Sequence, residues 1–511
     1  MIRSTFAGFT TAQLAMAASQ RALDVTGQNI ANINTTGYTR QRLDIASLNT
    51  KGANFHNSDN NIQIGYGVDM TGVSQLRDPF LDMQYRSQIG KLGTTDAHAA
   101  GLEQLAPVFD ETTTDGIRAA LENISSALNT LSNQVGNNEF DSMVRSNMQI
   151  LLNLFHDNAT KLQDIRDDTT NGFKNSDIKD VNQLLENIAN LNTSIKNSQI
   201  LGNPALELQD QRNDLLDQLG SYIPISVKYT DKEIISGQYV EILDVTFTDA
   251  NGTKYSLVSD GNYGSFDTDI SGQPVTLAIN DAKGQYGDIT NTVTDGTLKG
   301  TLDFLNKEGG FDNSDFKGLG YYENVLDAFV NQFATVFNEL NHPVDPVTGQ
   351  PAADANPLFV TKDGSATFTA SNIKIADDWM NGSYGLTNTK DPSQPSTAND
   401  NILAMITALT ADQSFEFDGV IFYNGSFGGC FDNIENTLAI DTKSTSTLLE
   451  NQISVLNQTA NSRDSVSGVQ LDEEGMNLMH YNQSYTAAAR LMTTLDEALD
   501  TLINNTGVVG R

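Results

Sequence analysis

The stretch Ile2–Ile33 reads IRSTFAGFTTAQLAMAASQRALDVTGQNIANI, and Leu471–Leu502 reads LDEEGMNLMHYNQSYTAAARLMTTLDEALDTL. In the first, Ile2, Phe9, Met16, Leu23 and Ile30 recur every seven residues; in the second, Leu471, Leu478, Tyr485, Met492 and Leu499 do the same. Each line has a companion three residues on: Ala12, Ser19, Thr26 and Ile33, then Tyr481, Ala488, Leu495 and Leu502. That is the a/d pattern of helices that pack along a seam. One helix cannot bury such a stripe alone, and isolated helices of this length are marginal in water. The two ends therefore predict an assembly seam, each pairing with the other and with copies of itself. A chain held at its termini, with everything else inserted between them, reads as a polymer subunit.

A chain of 511 residues has room for several domains, and an apolar fraction of 38% can build cores. The net charge of −34 argues against nucleic acid, whose phosphates need Lys and Arg, and against an anionic membrane surface. It fits a surface that repels its own copies until the right contact forms. The N-terminal arm sets Arg3, Arg21, Arg40 and Arg42 against Asp24 and Asp44. The C-terminal arm sets Asp472, Glu473, Glu474, Asp496, Glu497 and Asp500 against Arg490 and Arg511. The opposite signs favour association of the arms, modestly. Cys430 is the sole cysteine, so no intramolecular disulfide is expected; with no His beside it, it reads as a small buried residue. After Arg3 no sustained apolar core marks a cleavable signal, and no stretch has the roughly 18–20 apolar residues of a membrane span.

Residues 4–33 predict one helix, ended by Asn34-Thr35-Thr36-Gly37. Residues 46–76, with runs such as Ile62-Gln63-Ile64, predict an extended segment with small hairpins. Asp78-Pro79 opens a helix to about 108. Helices are expected near 115–134, 139–168, 174–199 and 204–220. From 221 to 310 the period changes to short alternating runs. Tyr239, Leu243, Val245 and Phe247 precede Asp249-Ala250-Asn251-Gly252, and Tyr255 and Leu257 follow, which predicts a hairpin. Helix returns at 316–341, near 399–410 and over 431–466, and Ser467-Gly468 breaks it before the terminal helix. The expected fold class is α+β and multidomain: terminal coiled-coil helices and a long-helix bundle with an inserted β-rich module. The expected units are 1–45 with 469–511, the assembly domain; 46–220 with 311–341 and 399–468, the long-helix domain; 221–310, the inserted β-rich domain; and 342–398, an irregular short-strand insertion. A module inserted between helix ends is expected to be dispensable, with 225–308 replaceable by a short linker.

Little chemistry is legible. His56, His98, His156, His342 and His480 are scattered, without His-Glu-x-x-His or CxxC, so no metal site is expected. Gly65-Tyr66-Gly67 lacks the third glycine of a dinucleotide fingerprint. Asp267-x-Asp269-x-Ser271-Gly272 begins like a calcium loop, but position twelve is Ala278, which leaves a turn between strands. Trp379 is the only tryptophan, a poor basis for a sugar platform. No cofactor is expected, and the chain does not read as an enzyme. The rival from another class is a secreted polysaccharide-degrading enzyme using the β-rich module.

Ala31-Asn32-Ile33-Asn34-Thr35-Thr36-Gly37-Tyr38-Thr39-Arg40-Gln41 resembles the Asn-rich, Gly-Tyr-x-Arg-Gln signature of bacterial flagellar axial proteins. Ser465-Val466-Ser467-Gly468-Val469-Gln470-Leu471-Asp472-Glu473-Glu474 is similar to the C-terminal signature of their first hook-associated protein family, as is Asp210-Gln211-Arg212-Asn213-Asp214-Leu215 to a helix of that family. Rod and hook proteins usually carry Gly-Phe for Gly-Tyr and lack the Ser-Gly-Val-x-Leu-Asp-Glu-Glu run. Asn32, Gly37, Tyr38, Arg40, Ser467, Gly468, Leu471, Asp472, Glu473 and Glu474 are the motif positions. The resemblance implies a structural junction subunit between flagellar hook and filament, outside the cell, exported without a cleaved signal peptide. It implies four partners: itself in a homo-oligomeric ring, the hook protein, the second hook-associated protein, and an export chaperone on the C-terminal arm. Nucleic acid and membrane insertion are not expected. A second axial rival is the hook subunit or the second junction protein. The tail from Asn504 to Arg511 extends past the family's usual end and is assigned no role.

Overall fold

The computed structural model describes residues 6–48, 65, 67–111, 116–235, 238–308, 316–344, 356–391, 393–395 and 397–505. Ile2, Arg3, the Ile62-Gln63-Ile64 run, Tyr66 and the last six residues lie outside that set. Helix α1 (Phe6–Ala31) gives way to a turn in which Gly37 takes φ +77°, the left-handed position. Strand β1 (Gln41–Ser47) then pairs antiparallel with β2 (Val68–Gln75). Helix α2 (Pro79–Phe109) starts as its sequence directs: the Asp78 carboxylate accepts the Phe80 N–H at 2.9 Å, and Pro79 fills the first turn. Helix α3 (Ile117–Asn133) follows, then α4 (Asn138–Gly172), capped by Asn137. The expected break near 169–173 is absent. A π-helical turn, Phe173–Asp177, carries the rod straight into α5 (Ile178–Ile200), because Phe173 is anchored in a core and holds the chain helical across Gly172.

Helix α6 (Leu206–Tyr222) leads to a four-stranded antiparallel sheet of β3 (Ser226–Ile235), β4 (Gln238–Thr248), β5 (Lys254–Ser259) and β6 (Asn262–Tyr263), in that order. Strands β7 (Ser265–Asp269), β8 (Thr276–Asn280) and β9 (Tyr286–Asp288) form a second sheet. The Asp249–Gly252 hairpin is present, with Gly252 at φ +84°. Leu243, Val245, Phe247 and Leu257 are buried, but Tyr239 is 58% exposed, because Val240 takes the inward position at the start of β4. The calcium-like segment is the β7–β8 turn, where Asp269 accepts the Ser271 N–H and O–H. Next come α7 (Thr297–Asn306), α8 (Leu319–Asn341), the pair β10 (Phe359–Thr361) and β11 (Ile373–Ile375), α9 (Asp377–Met380) and α10 (Asp400–Thr410). A hairpin of β12 (Gln413–Phe417) and β13 (Val420–Gly425) turns at Asp418-Gly419, both at positive φ; this Asp-Gly signal was there to be read. The chain closes with α11 (Phe427–Ser467) and α12 (Leu471–Asp500).

Two apolar cores organise the body. The first joins the end of α2, α3, α4, α8, α10 and the start of α11 around Phe155, Phe329, Phe333 and Trp379. Cys430 sits in it, fully buried, and burial pushes its thiol up, as befits an unreactive side chain. The second core crosses the boundary expected at residue 221. It combines Val181, Leu185 and Ile188 of α5 and Leu216 and Leu219 of α6 with the sheets and with α7. Helix α7, unforeseen inside the β-rich stretch, serves both: Leu298, Leu302 and Leu305 enter the second core and Phe304 the first. It lies so close to α2 that a Cβ on Gly101 would stand 2.4 Å from the Phe304 ring. The strands of this stretch are thus one wall of a core shared with α5, α6 and α7.

Asp327 on α8 supplies a stability test. Its carboxylate accepts the Ala370 N–H at 2.8 Å, and burial, with Glu323 nearby, pushes its pKa from 3.8 to about 6. A raised carboxyl favours the fold below the unfolded pKa and loses that contribution as pH rises through about 6. Asp327→Asn keeps the acceptor and removes the charge. It is expected to stabilise by on the order of 1–3 kcal/mol at pH 7.5, with the gain vanishing near pH 4. A lower melting temperature than the parent at pH 7.5 would contradict this.

Candidate functional site

The two ends pack on each other as an antiparallel pair, α1 against α12. A Cβ on Gly8 would lie 3.0 Å from Leu495 Cδ1 near one end of the pair, and Asn29 bonds Glu474 near the other. The line that faces inward differs from the expected one. On α1 it is the small companion line, Ala12, Ser19 and Thr26, that is buried, together with Ala18, Ala22 and Asn29. Phe9, Met16, Leu23 and Ile30 are only half-buried. On α12, Ala488 is buried, Tyr481, Leu495, Met492 and Leu499 are half-buried, and Leu471, Leu478 and Tyr485 stand 58%, 41% and 39% exposed. Small side chains allow the closest helix approach, so they take the contact and turn the larger ones outward. Ile33 lies beyond the end of α1, and Leu502 is exposed.

At the root of this arm the two sequence signatures come together. Arg40 Nε donates to Glu474 Oε1 at 2.7 Å and its Nη1 to Glu473 Oε2 at 2.6 Å. The Arg40 N–H donates to the Ser467 carbonyl at 2.9 Å, just before Gly468 and the start of α12. Glu474 is 1% exposed and Glu473 is 45% exposed at the side chain. Asp472 lies in the first turn of α12, open to solvent. Tyr38 donates its O–H to Asn29 Oδ1 at 2.9 Å; burial, then the charges of Asp210, Glu207 and Glu474, push its phenol up to about 12. Asn32 is not part of this cluster: its amide donates to the Gln28 carbonyl and its oxygen accepts the Thr35 hydroxyl.

Further residues, outside the motif positions, complete the joint. Asn29 is saturated: its amide donates to Gln41 O at 2.9 Å and to Glu474 at 3.3 Å, and its oxygen accepts the Gln41 N–H at 2.9 Å besides Tyr38. Its signal was a lone polar residue in the small line Ala15, Ala22, Asn29, the place where an Asn fixes register. On the body side, Thr39 N–H donates to Asp210 at 3.1 Å, Leu76 N–H to the Arg40 carbonyl at 2.9 Å, and Arg77 to Thr39 Oγ1 at 3.3 Å. Arg77 pairs with Asp82 at 2.9 Å, and Asp217 accepts from both Arg86 and Arg463. The Arg463 guanidinium lies 3.8 Å over the Tyr85 ring. Arg212, 1% exposed, ties α6 to Asn192 of α5 and Glu241 of β4. A cleft of about 480 Å³ under the joint is lined by Tyr38, Arg77, Asp210, Asp217, Arg463 and Gly468, among others. The arrangement fixes one element on another; it presents no nucleophile with a base.

The comparisons agree on one lineage. A model of the flagellar hook-associated protein FlgK helical domain matches residues 102–354. A model of the flagella basal body rod protein matches 9–39, and one of the flagellar basal body rod FlgEFG protein C-terminal region matches 461–505. The chain is 29% identical over 525 residues to flagellar hook-associated protein 1 of Bacillus subtilis (strain 168), covering 99% of this chain and 100% of that one. It is 24% identical to flagellar hook-associated protein 1 of Escherichia coli (strain K12), covering 95% and 97%. The solved structure of the flagellar hook junction protein FlgK from Burkholderia pseudomallei has a like fold, with a TM-score of 0.55 at 13% identity, over 75% of this chain and 100% of that one. The two rod-type matches fall on the two sides of the joint, 9–39 on α1 and its turn, 461–505 on the end of α11 and α12.

Proposed function

Because the chain belongs to the family of the flagellar hook-associated protein FlgK, as a structural component of the flagellum, we propose that it forms the junction between hook and filament. Copies of it would assemble there as a ring through their paired terminal helices. The observation that carries this reading is the line Leu471, Leu478 and Tyr485: it stands open on an arm whose other line is already taken up by α1. An apolar line left open on a helix that needs two neighbours is what a further copy would cover. The other axial neighbours in this reading are the hook protein and the second hook-associated protein. A chaperone holding the open face of α12 would keep the chain apart until export. No helix is long and apolar enough to cross a membrane among the described residues. The role is mechanical rather than catalytic.

Antibody labelling of isolated flagella tests it. A single band at the hook–filament boundary is expected. Label along the whole hook or filament would assign the chain to another axial role, and label absent from flagella would overturn the reading.

A further inference from the structure

We propose that neighbouring copies join their terminal arms through two crossed ion pairs, Arg21 of one copy on Glu497 of the next and Asp24 of the first on Arg490 of the next. The occupant of this surface is a second copy of the chain, so the inference rests on the ring reading above and names its polar contact. Among the described residues, all arginines but two pair with a carboxylate. The two are Arg21 and Arg490, one on each helix of the arm, and both are exposed. Arg21 lines an open cleft with Asp44, Asp231 and Glu241 but pairs with none of them. Each of the two lies two residues past a small buried residue, Ser19 or Ala488, and so is turned about 200° around its helix from that contact. Asp24 and Glu497 stand exposed near them, also without an ion pair. Asp24 is one turn along α1 from Arg21, and Glu497 is one heptad along α12 from Arg490, on the same line.

The order of the signs matches across the two helices. Gly8 lies beside Leu495 and Asn29 bonds Glu474, so Arg21 stands level with roughly residue 482 of α12, and Asp24 with roughly residue 479. From tip to root the outer side of α12 reads Glu497 then Arg490, minus then plus. The outer side of α1 reads Arg21 then Asp24, plus then minus. Copies in a ring point the same way, and the contact joins different sides of two copies, here α12 of one to α1 of the next. At equal height Glu497 and Arg490 would face the uncharged stretch Phe6–Gln13. Displaced by roughly 11–15 residues, about 16–23 Å at 1.5 Å per residue, both pairs form at once, the long arginine side chains absorbing the difference. The wrong contacts, α1 on α1 or α12 on α12 at equal height, set like charge on like. In a chain of net charge −34, two cations matched to two anions make a neutral patch where copies can close.

Charge reversal in the full chain tests this without altering net charge. Arg21→Glu with Asp24→Arg reverses α1, and Arg490→Glu with Glu497→Arg reverses α12. All four positions are exposed, so the purified chains should melt with the parent. Placed in cells instead of the parent, each reversed chain should give at least ~10-fold fewer attached filaments, because like charges then meet at both pairs. The chain with all four substitutions restores opposite signs and should return filament number to within ~2-fold of the parent. A reversed chain that attaches filaments as the parent does, or a four-substitution chain that attaches no more than the reversed ones, would overturn the pairing. Failure of the ring reading shows separately: cells lacking the chain altogether would then keep their filaments.

Discussion

A chain carrying Leu478→Asp is expected to fold as the parent does and to leave filaments unattached. Leu478 is 41% exposed in the single chain, so a carboxylate there meets water and changes its stability by only ~0.5 kcal/mol. In a ring that covers the open line, the same carboxylate is buried without a partner, at a cost of several kcal/mol or more for every subunit. Assembly multiplies that cost by the number of copies, so the effect approaches all or none. Cells should carry hooks, lack filaments and release filament protein into the medium, while the purified variant melts with the parent. Leu23→Asp provides the contrast. Leu23 is half-buried on α1, so its variant should both loosen the arm and block attachment. Normal filaments in both variants would remove the open line from the assembly contact.

Replacing residues 225–308 with a short Gly/Ser linker is expected to abolish cooperative folding of the body. Insertion between helices ending near Gly220 and resuming near Lys317 predicts the reverse, a dispensable outward module. The second core decides against that expectation. The deletion removes Leu243, Val245, Phe247, Leu257, Val258, Phe266, Leu277 and Ile279, all of them buried, and with α7 also Leu298, Leu302, Phe304 and Leu305. At ~1.5–3 kcal/mol for each large apolar side chain, even part of this exceeds the ~5–15 kcal/mol by which a domain is stable. It would also uncover Val181, Leu185, Ile188, Leu216 and Leu219 on the helices left behind. A deletion of 476–503, which removes no core residue of the body, should by contrast leave a soluble, cooperatively melting protein that fails to assemble. The measurement is calorimetric unfolding of both deletions; a sharp transition in the 225–308 deletion would show that the strands are no wall of a shared core.

The terminal helices, the Asp78-Pro79 helix start, the Gly37 turn and the Asp249–Gly252 hairpin were legible because each rests on contacts a few residues apart. A heptad line, a cap or an Asn-Gly turn acts through its own backbone, and so is written in consecutive residues. The family signatures were legible too, as strings. Their physical role was not. Arg40 can be seen to be unusual, but nothing near it in the chain names Glu473, Glu474 or the Ser467 carbonyl as its partners. The same holds for Thr39 and Asp210. Helix α7 was hidden because its apolar residues look alike whether they cover a sheet or a helix.

Most of the long helices, the Asp249–Gly252 hairpin, the matching apolar lines of the two ends and the signatures shared with flagellar axial proteins were thus written in the chain, whereas α7, the β12–β13 hairpin and the unbroken run from α4 to α5 were not read from it. Which of the two lines faces inward is settled in the tertiary structure, since that depends on side-chain volumes across the pair: Ala12, Ser19 and Ala488 fit where Leu478 and Tyr485 do not. It alone decided that the strands share a core with α5, α6 and α7, because a buried face is defined by what covers it. It alone brought Arg40 to Glu474, because a charge far along the chain becomes a partner only when both are removed from water at one place.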